Sequence, residues 1–329
     1  MVQPVSILAA RHGEAIRQHV HDQANLTGLW VGRDRVFDAA VQVCGLVLRC
    51  GAPQPATEVA RAVGADFVPA KPLDRQPEPH DWGRAAATTV GIPDVHIQRS
   101  KQTVADLASA TAGFRDQFYG FVPFVSEAEP AETVAAGEQA KLVTVGMIDV
   151  LGLSWGTRTF KYAKQSVQRP VVDLEQLQAQ DPTLAQWAQA RLRPKLLMAT
   201  QTRVVEVWVD ESGTSLPVTP VLSIEPLDDD PNTLWLLAAA LSAPAVSAHI
   251  LAAKFGTAMS LNALKLAARD VLVIPLPTNR KAWQNAADHL RGDQVDLDVF
   301  ANQMGRAYGD PSEDLAQWWR TRVEPARNS

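Results

Sequence analysis

Residues 234–253 are almost all apolar, and a run of that length has to be hidden from water. Two placements are open, a membrane span or helices inside a folded core. The run is rich in alanine, Pro244 breaks it and His249 lies within it. Alanine contributes little transfer free energy and a proline interrupts a helix, so two short buried helices are the better reading. The rest of the chain has the makeup to supply such a core. Of 329 residues 46% are apolar and 20% charged, as in folded globular proteins, and the length suggests two domains or three.

A second constraint comes from residues 41–48, a continuous apolar segment bounded by Arg49 and Gly51. Such a run fits a strand buried on both faces of an α/β sheet. Residues 11–23 have helix-forming character, and 26–31 form a short apolar run, so 1–51 read as strand, helix, turn, strand. That is less than half of a doubly wound domain. Residues 1–10 enter apolar extended sequence at once with no basic leader, which suggests a chain lacking something upstream. Seven prolines in residues 52–95 predict a loop-rich connector with one helix near 57–63. Further on, residues 107–125 begin as a helix and 141–148 form a strand. Residues 174–192 have helical spacing, and three strands at 195–198, 204–209 and 220–224 form a meander. Helices follow at 233–241, 245–255 and 260–269, then a strand at 271–277 and a helical tail from Arg280.

Catalytic signatures are scarce. The two cysteines exclude a disulfide scaffold, and no Cys/His set has zinc spacing. No nucleophile elbow, Walker loop or dinucleotide fingerprint occurs. Asp228, Asp229 and Asp230 precede Pro231 and Thr233, as carboxylates at a helix N-terminus do. Residues 149–156 faintly resemble a glycine-rich nucleotide loop, but no helix is predicted after them to offer its dipole, so an ordinary turn is expected. A carboxylate cluster with a nuclease-type lysine is not evident either.

Charge placement is the stronger signal. The chain carries −5 overall, yet residues 158–203 hold eight basic residues against three acidic ones, with many amides and hydroxyls between them. Lys and Arg neutralise phosphates, while Arg, Gln and Thr read base edges. A plain solvated basic face remains the alternative.

Residues 192–205 (LRPKLLMATQTRVV), followed by a turn at Ser212 and Gly213, resemble the target-recognition region of N6-adenine DNA methyltransferases with a TaqI-like C-terminal specificity domain. Residues 234–242 (LWLLAAALS) are similar to a helix of that region, and 273–277 (VIPLP) to its exit. Residues 106–116 (DLASATAGFRD) resemble its entry. Residues 2–8 and 35–48 resemble late strands of the catalytic domain. The likeness is nearest to actinobacterial N-6 DNA methylases.

The resemblance implies an α/β fold in three parts: a C-terminal fragment of a Rossmann-like methyltransferase sheet at 1–51, a proline-rich connector at 52–100, and an α+β target-recognition domain with a helical tail at 101–329. It implies double-stranded DNA as partner and a cytoplasmic setting without a membrane. Arg115, Gln117, Tyr119, Arg158, Lys161, Lys164, Gln201 and Arg203 are the expected DNA contacts. Arg and Lys would position phosphates, and Gln117 and Gln201 would read bases. Tyr119, between Phe118 and Gly120, reads as packing, and Lys195 as the cap of a strand end. The family's Asn-Pro-Pro-Tyr motif, which holds the extruded adenine, is absent from this sequence, as is the glycine-rich S-adenosylmethionine loop. The expectation is therefore a chain inactive alone and binding no cofactor by itself. It would be truncated, mis-started, or completed by a catalytic subunit. A non-catalytic DNA-binding or partner-binding protein is the alternative.

Overall fold

The computed structural model describes residues 1–33, 36–38, 41–97, 100–129, 137–258, 260–292 and 294–327, the last four as backbone. Arg35, Ala39 and Ala40 of the segment resembling a late catalytic strand lie outside the described residues. The fold is mixed α/β, and the chain divides into two compact units. One comprises residues 1–96, 247–265 and 317–319, and the other the remainder.

The first unit holds β1 (Val2–Pro4), α1 (Glu14–Gln23), β2 (Ala24–Val31), β3 (Val43–Cys50), β4 (Val59–Val63), β5 (Val68–Leu73) and α2 (Trp82–Ala87). The strands form one sheet in the order β1-β3-β2-β4-β5. β3 runs antiparallel to both β1 and β2, so those two are parallel and α1 is their crossover. β4 adds parallel to β2, and β5 antiparallel to β4.

Two expectations change here. Residues 57–63 are not helical, because Val59 and Arg61 point inward with period two, and residues 60–63 pair with β2. The Arg61 guanidinium enters the unit and donates to the carbonyls of Lys71 at 2.6 Å and Ala85 at 2.7 Å. Prolines 69 and 72, read as connector, sit in the edge strand β5, where a missing N–H costs no ladder bond. The second change concerns β3, whose N-terminal half is buried while Val47 is 61% exposed, so the strand is covered on both faces only at its start.

The second unit carries β6 (Ala108–Ala112), α3 (Arg115–Gly120), β7 (Val125–Glu127), β8 (Gln139–Val143), β9 (Ile148–Asp149), β10 (Gly152–Leu153), β11 (Phe160–Tyr162), β12 (Gln165–Val167) and β13 (Pro170–Asp173). Then come α4 (Leu174–Gln180), α5 (Pro182–Gln189), β14 (Lys195–Met198), β15 (Val207–Asp210), β16 (Ser215–Pro217), β17 (Leu222–Pro226) and α6 (Pro231–Ser242). After α7 (Pro244–Ala253), most of which belongs to the first unit, follow α8 (Ala268–Leu272), α9 (Arg280–Leu290), α10 (Leu297–Tyr308) and α11 (Glu313–Arg327).

Two four-stranded sheets organise this unit, in the orders β16-β8-β13-β7 and β15-β14-β17-β6, with β9-β10 and β11-β12 as separate hairpins. The expected meander is interrupted, because β16 leaves to pair parallel with β8 and β17 returns to the far side of β14. The segment expected to open as a helix at residue 107 is the edge strand β6, paired with β17. Of the helix expected at 260–269 only α8 forms, and 271–277 makes a single bridge, between Thr103 and Pro275, in place of a strand.

Among the described residues no single helix is long and apolar enough to cross a membrane, although α6 and α7 meet that criterion together as a broken pair. Nearly every residue of both is buried within the protein, which fits the helical-pair reading. Asp230 caps α6, accepting the Asn232 N–H at 2.9 Å, as expected of the acidic triplet.

Candidate nucleic-acid interface

Of the eight basic residues in 158–203, most are taken up by the fold. Lys195 is completely buried and bonded at 2.6 Å to Asp210, itself buried, which also accepts the Ser215 N–H at 3.0 Å. It is an internal ion pair and not the cap of a strand end. Its burial pulls the ammonium below the ordinary lysine range, while Asp210 acts the other way. Arg193 pairs with Glu225 at 3.7 Å, Arg191 stacks on Trp187 at 4.0 Å, and Arg169 lies over Trp155 at 5.0 Å. Lys161, Lys164 and Arg203 are exposed.

Arg158 belongs with the internally held group. It donates to both oxygens of Asp149 at 2.7 Å and to the Ser154 hydroxyl at 2.6 Å, and Ser154 in turn bonds Asp149. A phosphate would have to compete with a bidentate carboxylate, so Arg158 as a free DNA contact is corrected to an internal pair. Gln117 is engaged within the fold through its side-chain oxygen. Its side-chain oxygen accepts the Phe114 N–H at 2.5 Å, closing the N-terminus of α3, so that acceptor is turned from base reading to capping.

The remaining candidates fall into two sets. The first gathers on α3 and the β11-β12 hairpin. Tyr162 of β11 donates its hydroxyl to the Phe118 carbonyl at 2.6 Å, and the two rings meet at 4.8 Å. Tyr162 faces inward, so strand alternation turns Lys161 outward. Lys164 occupies the hairpin turn, with Ala163 and Lys164 both at positive φ, 47° and 71°, the backbone of a type I′ turn. On α3, Arg115 and Tyr119 share a face one turn apart, the guanidinium 5.8 Å from the ring centroid. Tyr119 is 56% exposed, so the expectation that it packs inside is overturned.

The second set lies on the loop between β14 and β15, with Gln201 and Arg203 exposed. Beside it sits a carboxyl that sequence reading missed. Burial, and then the Asp149 charge, push Glu206 up to about 8, while Arg158 and Arg203 oppose the shift. Only the fold brings Asp149, Arg158 and Glu206 together, so no sequence spacing marked them. A cleft of about 320 Å³ elsewhere in this unit is rimmed by Glu211 and Asp228 to Asp230, a poor surface for phosphate.

The glycine-rich residues 149–156 do not fit a nucleotide or S-adenosylmethionine cradle. They form the β9-β10 hairpin, its polar atoms bonded to one another, and the next α-helix begins only at Leu174.

What the architecture defines is an α/β fold of a kind seen in restriction–modification enzymes. The chain superposes over its full length, with a TM-score of 0.52 and 10% identity, on 49% of MmeI, a Type IIL restriction-modification enzyme solved in complex with DNA. It aligns over 99% of its length with 47% of the type IIG restriction endonuclease BpuSI, at a TM-score of 0.42 and 12% identity. The chain thus spans about half the length of the solved structures it matches. No protein-family model and no curated protein sequence matches the chain.

Proposed function

We propose that this chain is the DNA target-recognition part of a site-specific N6-adenine methyltransferase of restriction–modification type. It binds duplex DNA through its second unit and is inactive in methyl transfer by itself. The observation that carries the reading is that Arg115, Tyr119, Lys161 and Lys164 all stay exposed on α3 and the β11-β12 hairpin, two elements joined through Tyr162 in an otherwise acidic chain. The fold shared with MmeI supports the restriction–modification context. N6-adenine specificity rests on the sequence resemblance, as does S-adenosylmethionine as the methyl donor. The glycine-rich residues 149–156 are closed into a hairpin and do not fit that cofactor. A separate catalytic subunit belongs to the same reading.

Fluorescence anisotropy with a labelled duplex tests it. Affinity falls steeply with salt, the logarithmic slope being about −0.9 for each phosphate neutralised. Replacing Lys161 and Lys164 by Ala makes the slope shallower by about two such increments. Salt-independent affinity, or none, overturns the DNA reading. Methyl transfer to plasmid DNA by the purified chain with S-adenosylmethionine overturns the inactive-alone reading.

A further inference from the structure

Phe114 is unusual among the aromatic residues of this chain. It immediately precedes α3, is 68% exposed, and makes no ring or cation contact among the described residues. Exposed Phe67 in the other unit, by contrast, stacks on Trp30 at 5.1 Å. A single exposed apolar ring is ordinary on a protein surface, so what marks Phe114 is the setting that holds it.

The backbone beneath the ring is fastened on both sides. The Phe114 N–H donates to Gln117 Oε1 at 2.5 Å, and its carbonyl accepts the Phe118 N–H at 3.4 Å. The preceding Gly113 carbonyl accepts the Thr219 hydroxyl at 2.6 Å. The ring is therefore presented from a fixed platform, which lowers the entropy lost when it is immobilised against a partner. Its chain neighbour is Arg115, and α3 is the element docked on the hairpin bearing Lys161 and Lys164. An apolar aromatic tip next to Arg115, on an element docked against a lysine-bearing hairpin, matches what duplex DNA offers: stacked apolar base faces behind an anionic backbone.

We propose that Phe114 is a wedge that enters a base step of duplex DNA, unstacking it while Arg115 and the hairpin lysines hold the flanking phosphates. The inference rests on the DNA-binding reading above and adds to it a deformation of the DNA.

The test uses the full chain, relaxed closed-circular plasmid and topoisomerase I, with duplex affinity measured in parallel. A wedge unwinds the step it enters, so the wild-type chain shifts the linking number of the religated plasmid. Phe114→Ala abolishes that shift and weakens duplex binding about tenfold, the loss expected of one aromatic–base stack. Its salt slope stays unchanged, because Phe114 touches no phosphate. Phe114→Trp retains the shift, and circular dichroism confirms that both variants fold. If the wild-type chain binds duplex DNA but leaves linking number unchanged, or if Phe114→Ala behaves as wild type, the wedge is overturned and DNA binding stands. If the wild-type chain binds no DNA, both fall.

Discussion

Lys195 and Asp210 illustrate how little a residue's type says about its use. In the sequence this lysine is one of a basic series, yet its side chain is as hidden as any core leucine. Removing one partner of a buried pair leaves a charge uncompensated in a poorly polarisable interior. Lys195→Met is accordingly expected to cost about 3–5 kcal/mol of stability, read as a lowered urea midpoint. Glu206 gives a pH prediction. The folded state raises this carboxyl from 4.5 to about 8, so it binds its proton more tightly than the unfolded chain does. Its stabilising contribution is full below pH 4.5 and is lost as pH rises through about 8. The Tm of the wild type falls over that window by more than the Tm of Glu206→Gln, which cannot ionise, and thermal melts across the range measure the difference. Neither residue was legible as special in the sequence, since burial is set by neighbours contributed from distant segments.

At the scale of elements, the coupling of α3 to the β11-β12 hairpin depends on one phenol. Tyr162→Phe keeps the ring contact with Phe118 and deletes the hydrogen bond to its carbonyl. The expected cost is about 1 kcal/mol in chemical denaturation, together with weaker duplex binding, because Arg115 and the hairpin lysines are no longer carried on coupled elements. Strands were harder to read than helices. α1, α4, α5, α6 and α9 carry their own signals in apolar spacing and capping residues. β4 and β6 were read as helical because alanine-rich stretches satisfy either period, and strand pairing with β2 and β17 decided the matter. The proline-rich stretch misled for a related reason. Proline argues against a central strand, and whether a strand lies at an edge is a property of the sheet.

For the whole molecule, the apolar run at 234–253 supplies core. Leu237 of α6 is completely buried, and Trp283 of α9 donates its indole N–H to the Leu236 carbonyl at 2.7 Å. Leu237→Ala is expected to cost about 2–5 kcal/mol, measured by calorimetry or urea unfolding, because the packed surroundings collapse only in part onto the vacated volume.

By itself the sequence determined that the chain is α/β, that its longest apolar run breaks at Pro244, that an acidic triplet caps a helix, and that basic residues cluster in one stretch. Those properties are written in local composition and period. Tertiary structure alone decided which of the basic residues remain available. It withdrew Lys195 and Arg158 into ion pairs and turned Tyr119 outward. It also docked α3, which carries Arg115, on the hairpin that bears Lys161 and Lys164, and left Phe114 exposed just before α3. The physical reason is that a side chain's charge is local, whereas its solvation and its partners depend on segments far apart in sequence that meet only in the folded chain.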